Sequence, residues 1–147
     1  MKGRLFAIIA VLIFWAGYVS SISFMEAWLK FRAEGVTLPI GLSIGRKIFT
    51  ALNRSEWVFI GLYALLYLSI SKIRLEGRTI ISLLLLLILF IQTAFILPAL
   101  NNRVELILEG QTLEKSLLHI FFGTLEILKV GLLIGLSFQW YKVSMQV

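Results

Sequence analysis

The sequence predicts an all-α integral membrane protein with four transmembrane helices and an amphipathic helix between helices one and two. Three observations carry that prediction. Hydrophobic residues make up 59% of the chain and charged residues only 15%, with a mean hydropathy of +0.94; soluble domains hold about 25% charged residues. Four apolar runs approach or exceed the roughly 20 residues that a helix needs to cross the hydrocarbon core. The residues between those runs are of the kinds that start, stop and anchor membrane helices. At 147 residues the chain has room for a single bundle, residues 1–147, and for no separate soluble domain.

The first span is placed at residues 4–31. Leu5 to Ser23 is almost unbroken apolar sequence, and helical character continues through Glu26 and Lys30. Those two are spaced i, i+4 with the acid first, the favourable order on a helix. Gly35 is the expected stop. Residues 38–53 then read as an amphipathic helix. Thr37 is its candidate N-cap, and Pro39 is tolerated in its first turn. Leu38, Leu42, Ile44, Ile48, Phe49 and Leu52 share one side, and Arg46, Lys47, Thr50 and Asn53 lie elsewhere. Gly41 and Gly45 form a small-xxx-small pair that permits close helix contact.

Ser55 is a candidate cap for a second span at residues 56–71, with Trp57 at the interface. Residues 72–78 are a tight basic turn that makes spans two and three antiparallel neighbours. The third span, 79–100, is Leu-rich, carries Gln92 and Thr93 inside it, and meets a potential kink at Pro98. A polar helical extension follows, ended by Gly110. Thr112 is a candidate N-cap for the fourth span, 113–140, with Glu114 in its first turn where the helix dipole favours an anion. Trp140, Tyr141 and Lys142 anchor its end. Gly131 and Gly135 form a second small-residue pair.

The formal charge is +6, with 14 Lys and Arg, 8 Glu and no Asp. In a membrane protein such a balance places basic side chains against anionic headgroups. The scatter of the basic residues and the lack of a reading module argue against nucleic acid as a partner. The expected partners are the lipid bilayer and a membrane protein or second copy of the chain. The apolar run after Met1-Lys2-Gly3-Arg4 is too long for a cleaved signal peptide and reads as a retained anchor. Four spans put both termini on one side. Lys2, Arg4, Lys72, Arg74, Arg78 and Lys142 fall on that side, and Lys30, Arg32, Arg46, Lys47, Arg54, Arg103 and Lys115 on the other, six against seven. The compact basic turn and the first-helix flank favour cytoplasmic termini in a bacterial inner membrane.

The candidate ligand-binding residues are Glu126, Lys129, His119, Glu26 and Gln92. Glu126 lies about 15 Å into the fourth span, and a charge at that depth costs roughly 2.5–3.5 kcal/mol without a partner. Lys129 at i+3 supplies one. Three readings follow: a structural ion pair that specifies packing, a site for a proton or ligand, or a snorkelling Lys129 beside a protonated Glu126. His119 precedes Glu126 by seven residues, which leaves both within about 20° on one helix face and about 10 Å apart. Glu26 falls at the same membrane surface as His119, and Gln92 reaches the midplane.

No catalytic residues, metal or cofactor are expected. With no Cys there is no thiolate chemistry, and one His cannot supply a bis-His haem or a zinc set. Glu26, Glu114 and Glu126 are the acids available for a hard cation, but no spacing rule joins them. Residues 41–45 spell the outline of a nucleophile elbow, on a helix and without a triad.

With these pieces placed, the chain resembles the four-helix membrane proteins of the domain-of-unknown-function 4149 group, relatives of transmembrane protein 205. The resembling stretches are Ser-Ile-Ser-Phe-Met-Glu-Ala-Trp-Leu-Lys-Phe at 21–31, Gly-Arg-Lys-Ile-Phe at 45–49, Leu-Pro-Ala-Leu-Asn at 97–101, and Ser-Leu-Leu-His-Ile-Phe-Phe-Gly-Thr-Leu-Glu at 116–126. Pro98 and His119 match the group's Pro after helix three and its His-bearing lead into helix four. Glu126 and Lys129 depart from the pattern. The resemblance implies a compact four-helix bundle and no defined biochemistry.

The leading functional expectation is a polar intramembrane site at Glu126 and Lys129 that binds or helps transport a small ligand or proton, with His119 and Glu26 at its entrance. The alternative is a non-catalytic accessory or assembly subunit of a membrane complex. A third is an intramembrane enzyme acting on lipid or quinone, for which the nucleophile or metal set is missing.

Overall fold

A computed structural model describes residues 2–70, 77–114 and 116–146. Among these residues the regular structure is entirely helical and forms four helices: α1 (Lys2–Arg32), α2 (Leu38–Ile70), α3 (Gly77–Leu108) and α4 (Leu118–Ser144). α1, α3 and α4, of 31, 32 and 27 residues, are long and apolar enough to cross a membrane. α2 has 33 residues, about 50 Å of helix, which exceeds one crossing of the hydrocarbon.

α1 turns Leu5, Ile8, Leu12, Trp15 and Val19 inward, the three-and-four spacing of one helix face. It packs most extensively on α4 and next on α2, while α3 packs on α2 and α4. Trp15, Leu52, Tyr63, Leu133 and Trp140 from three helices meet in the main core. The outside carries Phe6, Leu65, Ile80, Phe90, Ile120 and Ile127 in exposed positions. Apolar side chains outside and charged ones inside are what a lipid solvent favours.

Two helices contain a wide i→i+5 turn. In α1 it covers Ser21–Glu26, after which the helix tightens into a 3₁₀ turn at Lys30–Arg32. Gly35 then takes φ +77°, which an L side chain rarely adopts, and the helix stops where expected. In α3 the wide turn covers Gln92–Ile96. Pro98 has no N–H to give the carbonyl of Ala94, and the backbone answers by widening just before it; Leu97 N–H bonds Gln92 O. The helix runs on to Leu108, and Gly110 ends it at φ +87°.

The structure departs from the sequence reading at three places. The amphipathic helix at 38–53 and the second span are one continuous helix, and Ser55 is no cap. Its hydroxyl donates to the carbonyl of Ala51 one turn back, so the backbone passes through unbroken. The polar residues that suggested a boundary face neighbours instead: Asn53 Nδ2 and Trp57 Nε1 both donate to Thr93 Oγ1, each at 3.0 Å. Second, α4 begins at Leu118 and not near residue 113. Thr112 and Glu114 lie in non-helical chain, where Arg103 bonds the Glu114 carbonyl, and Ser116 Oγ accepts from Leu118 N–H at 3.2 Å. Third, the two glycine pairs differ. A Cβ on Gly41 would sit 2.2 Å from the Phe31 ring, and one on Gly45 would sit 2.7 Å from Lys30 Nζ. This pair seats the end of α1 on α2. Gly131 and Gly135 face open space. The expected basic turn falls mostly on residues 71–76, and Lys115 also lies outside the described residues.

Candidate functional site

Glu126 and Lys129 lie one turn apart on α4, and both side chains are completely buried. Their nitrogen and oxygen are 2.8 Å apart, so the pair foreseen in the sequence forms within one helix. It does not stand alone. Lys129 Nζ also donates to Gln92 Oε1 at 2.8 Å and lies 2.6 Å from Glu56 Oε1. Each of the three ammonium protons therefore has an acceptor, one apiece from α2, α3 and α4.

The acceptors are held in turn. Gln92 Nε2 donates to Glu126 Oε1 at 2.6 Å. Trp15 Nε1 donates to Glu56 Oε1 at 3.0 Å, and Ser23 Oγ donates to Glu126 Oε2 at 3.0 Å. The cluster thus draws on all four helices. Both wide turns serve it. Ser23 sits in the turn of α1 and Gln92 opens the turn of α3. Such turns insert one residue, re-aim the side chains around them, and recur at functional sites.

Two carboxylates face one ammonium here. With both acids ionised the cluster carries one net negative charge, and it is neutral only when it holds one additional proton. An uncompensated charge in a site of this burial is costly. The arrangement can therefore take up one proton, on Glu56 or on Glu126, or meet a cation or hydrogen-bond donor in its place.

Next to the cluster is a cavity of about 410 Å³ between the end of α1, the first half of α2, the second half of α3 and the start of α4. Ser23, whose hydroxyl donates to Glu126, is also one of the residues that line it. His119 and Lys30 line it as well.

Of the residues singled out from sequence, Glu126, Lys129 and Gln92 come together in one network. His119 and Glu26 do not join it. His119 has no hydrogen-bond partner among the described residues and stands on the cavity wall. Glu26 Oε2 holds Lys30 Nζ at 3.3 Å, and its Oε1 is buried without a partner. Glu26, Glu114 and Glu126 do not gather, and among the described residues no three His, Cys, Asp or Glu side chains form a metal set. Sequence reasoning missed Glu56, Trp15 and Ser23. Leu52, Glu56, Tyr63 and Tyr67 recur at i, i+4, i+11 and i+15, one buried face of α2, and that periodicity was the available signal for Glu56. No known family model, curated protein or solved structure matches the chain.

Proposed function

We propose that the protein is a four-span membrane protein that binds a proton, or helps move a proton or small ligand, at the buried cluster of Glu56, Glu126 and Lys129. One observation carries this reading: the two carboxylates share a single ammonium, and one carboxylate oxygen is tied through Ser23 to a cavity. A purely structural ion pair needs neither the second acid nor the link outward. Intramembrane ionisable groups of this kind mark ion and proton pathways.

Infrared spectroscopy on the protein in lipid tests the reading. A band from a protonated, buried carboxyl is expected, and it should disappear on raising the pH. Glu126→Gln should remove that band and abolish pH-driven proton uptake in proteoliposomes, while the unfolding midpoint stays unchanged or rises. The variant leaves one acid opposite one ammonium, which is charge-balanced. A wild-type protein with no protonated carboxyl at any pH where it remains folded would refute the proposal.

In the same reading α2 crosses the membrane through its apolar second half, which makes four spans and brings both termini to the cytoplasmic face of a bacterial inner membrane. The resemblance to the 4149 group belongs to this proposal too. The chain contains no Cys, so single-cysteine labelling has no background. Lys2→Cys and Gln146→Cys are expected to react with an impermeant maleimide only after the inner membrane is opened. Labelling of one from each side would require an odd number of crossings.

A further inference from the structure

The cavity beside the cluster has a wall of two kinds of residue. Most of it is apolar, with Phe31, Phe49, Leu97, Leu100 and Phe122 as its larger faces. Its polar part includes two cations, Lys30 and Arg46, together with His119, and no carboxylate. The acids that pair with the cations, Glu26 and Glu105, sit outside the wall.

Lys30 is the informative residue. Its side chain is only 9% exposed, yet among the described residues its ammonium makes one bond, to Glu26 at 3.3 Å. Charge-assisted bonds normally close to about 2.7–2.9 Å. The rings of Phe31 and Phe49, at 5.4 and 5.2 Å, supply its other close company. A buried ammonium with unspent donors is thus held at the cavity by Gly45, which leaves it room. His119 lines the same cavity as Lys30. The result is a set of polar groups with donor capacity, a cationic corner, on a largely apolar wall.

The size of the chamber restricts the occupant. At about 30 Å³ per water, 410 Å³ holds roughly a dozen water-sized groups. A wall this apolar offers water few polar partners, and apolar cavities take up apolar ligands. A hydrocarbon body of similar volume fits the wall, and an anionic oxygen fits the corner. The volume falls within the roughly 300–1,000 Å³ of small-molecule sites.

We infer that this cavity binds a single-chain anionic amphiphile, with its carboxylate or phosphate oxygens at Lys30 and His119 and its hydrocarbon along Phe49, Leu97, Leu100 and Phe122. The inference concerns the cavity alone and does not depend on proton binding at Glu126. A tail-diazirine dodecanoate, the matching dodecyl phosphate and the matching dodecanol test it in phosphatidylcholine nanodiscs, with crosslinks mapped by peptide mass spectrometry. At least one anionic probe is expected to label residues 97–104 and 119–123 saturably. Which of the two does so distinguishes a carboxylate from a phosphate ligand. Lys30→Gln should weaken apparent affinity roughly tenfold, the loss for one charge-assisted hydrogen bond. Leu100→Trp, which fills the chamber, should abolish labelling. If Lys30→Gln does not fold, His119→Gln makes the same test at the other side of the corner. Equal labelling by dodecanol, or labelling indifferent to both polar variants, would reduce the cavity to a lipid-filled groove and overturn the inference. Competition by inorganic phosphate as effective as that by dodecyl phosphate would overturn it as well, by assigning the corner to a free anion.

Discussion

Lys129→Met is expected to lower the stability of the bundle by about 3 kcal/mol, measured by unfolding in bicelles. Met occupies a similar volume and carries no donor. Its introduction strips Glu56 Oε1, Glu126 Oε1 and Gln92 Oε1 of their common partner in a fully buried site. In soluble proteins the loss of one member of a buried ion pair costs roughly 3–5 kcal/mol. The lower end applies because helices separated in lipid find other partners for their polar groups. Adding Glu56→Gln and Glu126→Gln to Lys129→Met should recover most of the loss, since the amides bring donors and no charge. A Lys129→Met protein as stable as wild type would mean that the ammonium does not hold the cluster together.

Trp15 supports the second large effect. It is completely buried between α1 and the other helices, lies 6.1 Å from the Phe59 ring, and donates to Glu56. Trp15→Ala should cost about 3–5 kcal/mol through the void it leaves. Trp15→Phe keeps most of the packing and loses only the indole N–H, so about 1 kcal/mol is expected, in line with interhelical hydrogen bonds measured in membranes. The two variants compared in one unfolding series separate packing from hydrogen bonding. If Trp15→Phe proves as damaging as Trp15→Ala, the bond to Glu56 carries the residue's weight and the void does not.

The helices were legible because apolar runs and glycine stops are strong local signals. Gly35 and Gly110 end α1 and α3 at positive φ, as their positions suggested. Glu126 and Lys129 stood out because charges in an apolar run are rare. The continuity of α2 was not legible. Residues 53–56 are polar, and a local pattern does not tell polar residues facing solvent from polar residues facing another helix. Glu56 was hidden for that reason: its partners come from α1 and α4, far away in sequence. The start of α4 was misplaced because Thr112 is a plausible cap on its own, and the hold of Arg103 on the Glu114 carbonyl is a tertiary effect. The wide turn in α1 leaves no mark in composition, whereas Pro98 pointed to the one in α3.

The cluster also has an order of arrival. Trp15, Ser23, Glu56 and Gln92 emerge from the ribosome before α4, and the only cation among these side chains comes last. Until Lys129 is inserted, Glu56 has Trp15 as its partner and no counter-charge, and Gln92 has neither of its bonds to α4. α4 brings Lys129 together with Glu126, one charge of each sign, so its arrival leaves the net charge of the cluster unchanged and supplies instead the ammonium that Glu56 and Gln92 share. The ammonium at the centre of the cluster is thus the last of these groups to arrive, and it closes contacts that the three earlier helices leave open.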